Sequence, residues 1–315
     1  MNGVRLPFSR WWPVFAGALV GVALRLAFAL GLSPMSASFI YLVPLLVGSI
    51  TVYVAERTER CSWSYYAGAG AVANALFVTG TLVILVEGVI CAILIVPLMM
   101  LEGAVGGLAM GAACRLANIP RSALCSLAVL PIALGLAERD LPLPDRVRVV
   151  QRHVTIDAAP ERIWREIHHA DAIRAAEVER GWAYRIGVPV PIAGITEMTP
   201  EGRVRHVRMG KGIHFDQVVV DWKEPRHVRF TYRFGEDSVP AGALDDHVRI
   251  GGQYFDLVDT SYTLTPRGRS TELAIAITYR VSTRFNWYAQ PIADALLGNF
   301  GDTILALYRS RSSGA

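Results

Sequence analysis

The sequence predicts two architectures in one chain of 315 residues: an all-α transmembrane bundle of about five spans, then an α+β domain in which an antiparallel sheet precedes one long helix. Three observations carry this. Mean hydropathy is +0.35, with 52% hydrophobic and only 18% charged residues, outside the range of an ordinary soluble domain. The long apolar runs are confined to the first 137 or so residues. Beyond them, β-branched segments alternate between turn residues, and the chain closes on apolar residues at every fourth position. The division expected is a membrane domain over 1–138, a linker over 139–145 and a folded domain over 146–311.

A hydrocarbon core about 30 Å thick needs roughly 20 apolar helical residues. Trp11 to Leu32 is the first such run. Arg5 and Arg10 before it imitate a signal peptide, but the run is long for one and contains Arg25, so an uncleaved span is expected. Phe39 to Ala55 (with Pro44), Trp63 to Val86 and Gly88 to Ala113 follow. The stretch from Arg121 to Glu138, holding Pro131, is shorter. It spans with local thinning, giving five spans, or re-enters, giving four.

Arg5, Arg10, Arg57, Arg60, Arg115 and Arg121 fall on one set of loops, and the loops near Ser36 and Glu87 carry none. The positive-inside rule makes the arginine side cytoplasmic. Five spans then put the second domain outside the cytoplasm of a bacterial-type inner or plasma membrane; four reverse this. Gly103, Gly107 and Gly111 repeat every fourth residue, as do Gly17 and Gly21. That spacing serves close packing within the chain or a homo-oligomer seam. Arg25 and Glu102 are intramembrane polar residues expected to pair, either structurally or along a polar path, and Glu87 reads as a loop residue.

Seven basic and four acidic residues lie in the first 137, leaving 24 against 23 in the remainder. Lys211 and Lys223 are the only lysines, and no basic run offers a phosphate-tracking surface, so no nucleic-acid partner is expected. Cys61, Cys91, Cys114 and Cys125 all precede the seven histidines and lack CxxC spacing. No metal and no cofactor are expected.

In the second half, Pro142 and Pro144 mark the stiff linker. Arg146 to Ile156 reads as a strand, and Pro160 suits a first helical position, with Ile163, Trp164 and Ile167 on one face. A short helix is expected from Asp171, as its N-cap, to Arg180. Strands follow from Ile195, separated by Gly202, Gly212, Pro225 and Gly268. The closing helix, about Phe285 to Arg309, carries Tyr288, Ile292, Leu296, Phe300, Ile304 and Tyr308 on one stripe.

The opening VTIDAAPERIW, a strand then an Ala-Pro helix start ending in Trp164, together with that closing helix, resembles the helix-grip fold of the START-like, SRPBCC superfamily, which includes polyketide cyclase/dehydrase and lipid-transfer proteins. The resemblance covers about residues 146–310 and implies an apolar cavity between sheet and helix, with a hydrophobic small molecule or membrane lipid as partner. The segment from Phe234 to Tyr254 looks like an insertion at the cavity mouth. Val218, Val220, Phe230, Tyr232, Asp256, Tyr262, Asn286, Tyr288, Ile292 and Phe300 are the expected cavity residues, unless the aromatic stripe is simply core or Asn286 a helix cap.

An enzyme needs acid/base groups in reach of that cavity. Asp246, His247 and Tyr254, in or beside the insertion, are the densest candidates, and otherwise belong to a solvated loop. His214 with Asp216, and His206 with Arg208, share strand faces and read as outer-face pairs. GKG at Gly210–Gly212 is a turn, and no HExxH or GxSxG occurs. Three functions remain open: a membrane-anchored binder of a hydrophobic molecule, a cyclase/dehydrase-like enzyme, and a regulatory module of the membrane domain with Arg25 and Glu102 functional.

Overall fold

The computed structural model describes residues 8–117 and 120–313, with the side chains of residues 8–10, 121–125 and 246 outside the description. Expectations resting on Arg5, or on the side chains of Arg10, Arg121, Cys125 and Asp246, lie outside the described residues. The chain divides into two units, Met1–Leu143 and Pro144–Ala315.

The first unit is helical: α1 (Phe8–Ala29), one π-helical turn (Ser38–Leu42) running into α2 (Val43–Glu56), α3 (Trp63–Val83), α4 (Val89–Leu116) and α5 (Arg121–Glu138). Four of these helical stretches are long and apolar enough to cross a membrane, and α5 is shorter. Glycines set how closely they approach. A Cβ on Gly48 of α2 or Gly70 of α3 would strike the Gly103 carbonyl of α4, and one on Gly107 would strike the Tyr66 carbonyl. Gly111 lies against the Tyr66 ring. Gly103, Gly107 and Gly111 thus serve close helix packing within the chain.

The expected Arg25–Glu102 pair is replaced by another. Arg25, 6% exposed, bonds Glu87 at 2.6 Å through Nε, because Glu87 in the loop after α3 can reach the end of α1. Glu102 keeps a buried Oε2 with no hydrogen-bond partner among the described residues. At the other end, Glu56 accepts from the Tyr66 hydroxyl at 2.6 Å, and Arg115 donates to the Cys61 carbonyl at 2.9 Å while lying over the Trp63 ring.

The second unit is one antiparallel sheet of eight strands in the order β1-β8-β7-β6-β5-β4-β3-β2. The strands are β1 (Asp145–Ile156), β2 (His169–Ala170), β3 (Pro191–Thr199), β4 (Gly202–Met209), β5 (His214–Lys223), β6 (His227–Arg233), β7 (Phe255–Arg267) and β8 (Ser270–Ser282). Bulges at Pro191/Ala193, Val219/Asp221 and Leu257/Asp259 help curl it. Helix α6 (Pro160–His168) and the short α7 (Ala175–Val178) and α8 (Trp182–Arg185) precede β3, and the long α9 (Asn286–Ser312) closes the chain. α9 packs on β1 and β8, and α6 joins the same core through Ile163 and Ile167. This is the helix-grip arrangement, a half-barrel sheet around one long helix. Asp171 does not cap a helix: its carboxylate takes the N–H of Ala172, and the chain turns before α7. The insertion folds down on the sheet, burying Val239 and Ala243 against Ile213 and Phe215.

Candidate functional site

The pleat decides which side chains enter the grip. On β4, Arg203, Arg205, Val207 and Met209 share the inner face, which leaves His206 and Arg208 outside. β5 sends Phe215, Gln217 and Val219 inward, and the bulge at Val219/Asp221 restores Trp222 to the same face. Phe230 and Tyr232 of β6 and Thr260 and Tyr262 of β7 lie opposite, under Phe300, Ile304 and Tyr308 of α9.

This interior holds a buried cation. Arg205, 7% exposed, donates from Nη1 to Gln217 Oε1 and from Nη2 to the Tyr308 hydroxyl, both at 2.9 Å, and its guanidinium lies 5.8 Å from the Phe230 ring centroid. Its Nε is buried without a partner. Burial works against its charge, but the Tyr308 and Tyr262 phenols outweigh it and raise the pKa. The Tyr232 hydroxyl meets Thr260 Oγ1 at 2.6 Å, and Tyr262 stands edge-on to Tyr308. Burial raises the pKa of both Tyr232 and Tyr262, so these phenols stay neutral.

A cleft of about 390 Å³ opens between α6 and strands β3 to β5. Its walls include Trp164, Trp222 and His168, with Arg203 stacked over Trp222 at 4.4 Å. The charged Glu161, Glu197 and Glu224 sit at its exposed rim. His168, 3% exposed, is flanked by the two indoles at 4.6 Å each and lies 6.0 Å from Phe230, so it stands between the cleft and the interior. Its Nδ1 pairs with Thr196 Oγ1 at 2.9 Å, and its Nε2 is buried without a hydrogen-bond partner. Burial, helped by the Arg205, His169 and Arg203 charges, lowers its pKa to about 3, and the ring is neutral.

The expected cavity residues divide. Phe230, Tyr232, Tyr262 and Phe300 are inside. Val218 and Val220 are not: they alternate with Gln217 and Val219 and face out beside Asp216, Val220 being 47% exposed. Asp256 lies between inward Phe255 and Leu257 and takes the opposite face. Asn286 is buried, but its amide is used as a brace, accepting from the Thr283 N–H and hydroxyl and donating to the Pro144 carbonyl. Tyr288 and Ile292 are half-buried, because the contact line on α9 runs through Ala289, Ala293 and Leu297. His247 and Tyr254 do meet, with rings 5.9 Å apart, while the Asp246 side chain is outside the described residues. In place of the expected His214–Asp216 and His206–Arg208 pairs, His206 of β4 pairs across the strands with Asp216 of β5 at 2.7 Å, where Arg233 joins them, and His214 lies 3.5 Å from Asp237. Among the described residues no three His, Cys, Asp or Glu side chains are grouped to hold a metal ion.

Sequence reasoning missed Arg203, Arg205, Gln217, Trp222 and His168. The signal was the other parity of RVRHVRM, where two arginines share the face opposite His206 and Arg208.

No family model matches the chain, and no curated protein matches it. Among solved structures it is similar to a START superfamily protein from Mycobacterium smegmatis, at 16% identity over 52% of this chain and 96% of that one, with a TM-score of 0.33. It is also similar to BexL, a di-domain ARO/CYC of the BE-7585A biosynthetic pathway, at 13% identity over 67% of this chain and 62% of that one, with a TM-score of 0.34. A protein from Chromobacterium violaceum matches at 16% identity over 53% of this chain and 99% of that one, with a TM-score of 0.30.

Proposed function

We propose that this chain is a membrane-anchored binder whose helix-grip unit holds a hydrophobic small molecule or lipid. The observation that carries the reading is the cleft beside Trp164 and Trp222. Its volume of about 390 Å³ suits a small ligand, and the two indoles with Met198 give it an apolar wall within a lining that is otherwise polar and charged. Tethering to the bilayer raises the local concentration of site over lipid, so a weak site suffices. The run of α5 along the bundle, together with the arginine-rich loops at the other end, supports an extracytoplasmic position for this unit.

The test is to purify the full chain, exchange it into amphipol, extract it with organic solvent and weigh what is released. A hydrophobic compound in near-equal molar amount, absent from Trp222→Asp protein, is the expected result. No extracted compound, and no uptake of a hydrophobic fluorescent probe, would overturn it.

A second reading, a cyclase/dehydrase-like enzyme, has one observation in its favour: the contact of the His247 and Tyr254 rings. It predicts that His247→Ala abolishes turnover and leaves binding intact; equal loss of both removes His247 as an acid/base group.

A further inference from the structure

The guanidinium of Arg205 is a charge without a counter-charge. Its neighbours are Gly194 on β3, on which a Cβ would strike the guanidinium, Gln217 on β5, Phe230 and Tyr232 on β6, Tyr262 on β7, Tyr308 on α9 and His168 on α6. The amide, the phenols and the imidazole are neutral, and no carboxylate pairs with Arg205 among the described residues. A buried cation of this kind is costly unless paired, and proteins normally supply an Asp or Glu. The nearest charge along the same face is a second cation, Arg203, at the cleft mouth, where the carboxylates occupy only the exposed rim. Of the five N–H donors of Arg205, Gln217 and Tyr308 take one each, and Nε is among those left.

We infer that the molecule held in the grip is an amphiphilic carboxylic acid, its apolar body among the aromatic side chains and its ionised head on the Arg205 guanidinium. One cation in an otherwise neutral interior balances one negative charge, which fits a carboxylate and not a phosphate dianion. The inference rests on the binding reading above, narrows it to a ligand class, and seats the head inward of the cleft, whose lining includes Arg203 but not Arg205. It also gives Arg203 a task, drawing the acid head past the rim before Arg205 receives it.

The experiment compares cis-parinaric acid with its methyl ester, by fluorescence titration of the full chain in amphipol. The acid is expected to bind roughly 10- to 100-fold more tightly than the ester. Arg205→Gln should bring the acid down to the affinity of the ester, which stays unchanged. Because Arg205→Gln removes a buried group and can unfold the unit, Gln217→Glu is the second variant. It keeps the shape, gives Arg205 an internal carboxylate, and should abolish the preference for acid while raising the melting temperature. Equal binding of acid and ester by the unaltered protein, or an acid preference that survives in both folded variants, overturns the inference and leaves a hydrophobic binder standing. Binding of neither probe overturns the inference and the binding reading together.

Discussion

Glu138 and Ser38, a hundred residues apart in the chain, are joined at one end of the bundle: Glu138 Oε1 accepts the Ser38 N–H at 3.0 Å, and its Oε2 accepts that of Ala37 at 2.8 Å. The last residue of α5 thus caps the helical stretch that follows the α1–α2 loop, and a carboxylate is well placed there against unpaired amides. Gly135, one turn earlier, lies against Phe28 near the end of α1. α5 begins after the end of α4 that carries Arg115, which is tied to the Cys61 loop with Arg57 and Arg60 close by. Its 18 residues make about 27 Å of helix.

The prediction from this geometry is topological. Alkaline phosphatase fused after the last residue should be active, and green fluorescent protein fused there should be dark. The opposite pair of results would put the second unit in the cytoplasm and make α5 a re-entrant segment.

Arg25 and Glu87 make a separable prediction. Arg25→Met alone removes the ion-pair partner of the partly buried Glu87 carboxylate and should cost up to about 3 kcal/mol. Arg25→Met with Glu87→Gln should recover most of that loss, and Arg25→Met with Glu102→Gln should be merely additive. Thermal aggregation of detergent-solubilised protein, followed by size-exclusion chromatography, reads all three; coupling of Arg25 to Glu102 would contradict the pairing.

The glycines of the bundle are not equivalent. Gly68 faces open space, so Gly68→Ala should be neutral or stabilising by up to about 1 kcal/mol. Gly103 is wedged between Asn74 and the Gly70 carbonyl, and Gly103→Ala must push helices apart. A loss of more than about 3 kcal/mol is expected there, again from the melting temperature, and equal tolerance at both positions would show the crossing to be looser than described.

Acid should weaken the helix-grip unit through His168. The unfolded chain takes up the imidazole proton near 6.5, whereas burial holds it off to about 3 in the folded state. Between these values the unfolded state binds more protons, so stability is complete above about pH 6.5 and falls as pH drops towards 3. The slope is at most about 1.4 kcal/mol per pH unit. His168→Phe keeps the contact with Trp164 and Trp222 and should flatten melting temperature against pH from 7 to 4; a slope equal to that of the unaltered protein would place the titration elsewhere.

Much of this fold is legible in the residues. Pro160 does open α6, the alternation after Gly202 does give β4, and the closing stripe does give α9, because each pattern is local. β2 is not legible, since two residues, His169 and Ala170, become a strand only by pairing with β3. The site is less legible than the fold. Val218 and Val220 look like interior residues by hydrophobicity, yet the strand parity that buries Gln217 turns them outward. A bulge beyond Val219 then reverses parity again, and no composition rule reveals a bulge. Arg205 is hidden for the opposite reason: an arginine on a strand reads as surface until Tyr308, about a hundred residues later, is seen to fold over it.

The pairing of β1 with β8 bears on how the protein is made. Ile156 faces Thr271 and Asp145 faces Ser282, so the first strand of the sheet completes its ladder only with the last. At a synthesis rate of about 5–20 residues per second, β1 waits several seconds or more with both hydrogen-bonding edges unpaired, since β8 is its one neighbour in the sheet. The helices of the first unit are by then already synthesised. The exposed Val147 and Val149 of that strand keep apolar surface beside an unpaired edge throughout the interval, which favours edge-to-edge pairing between nascent copies.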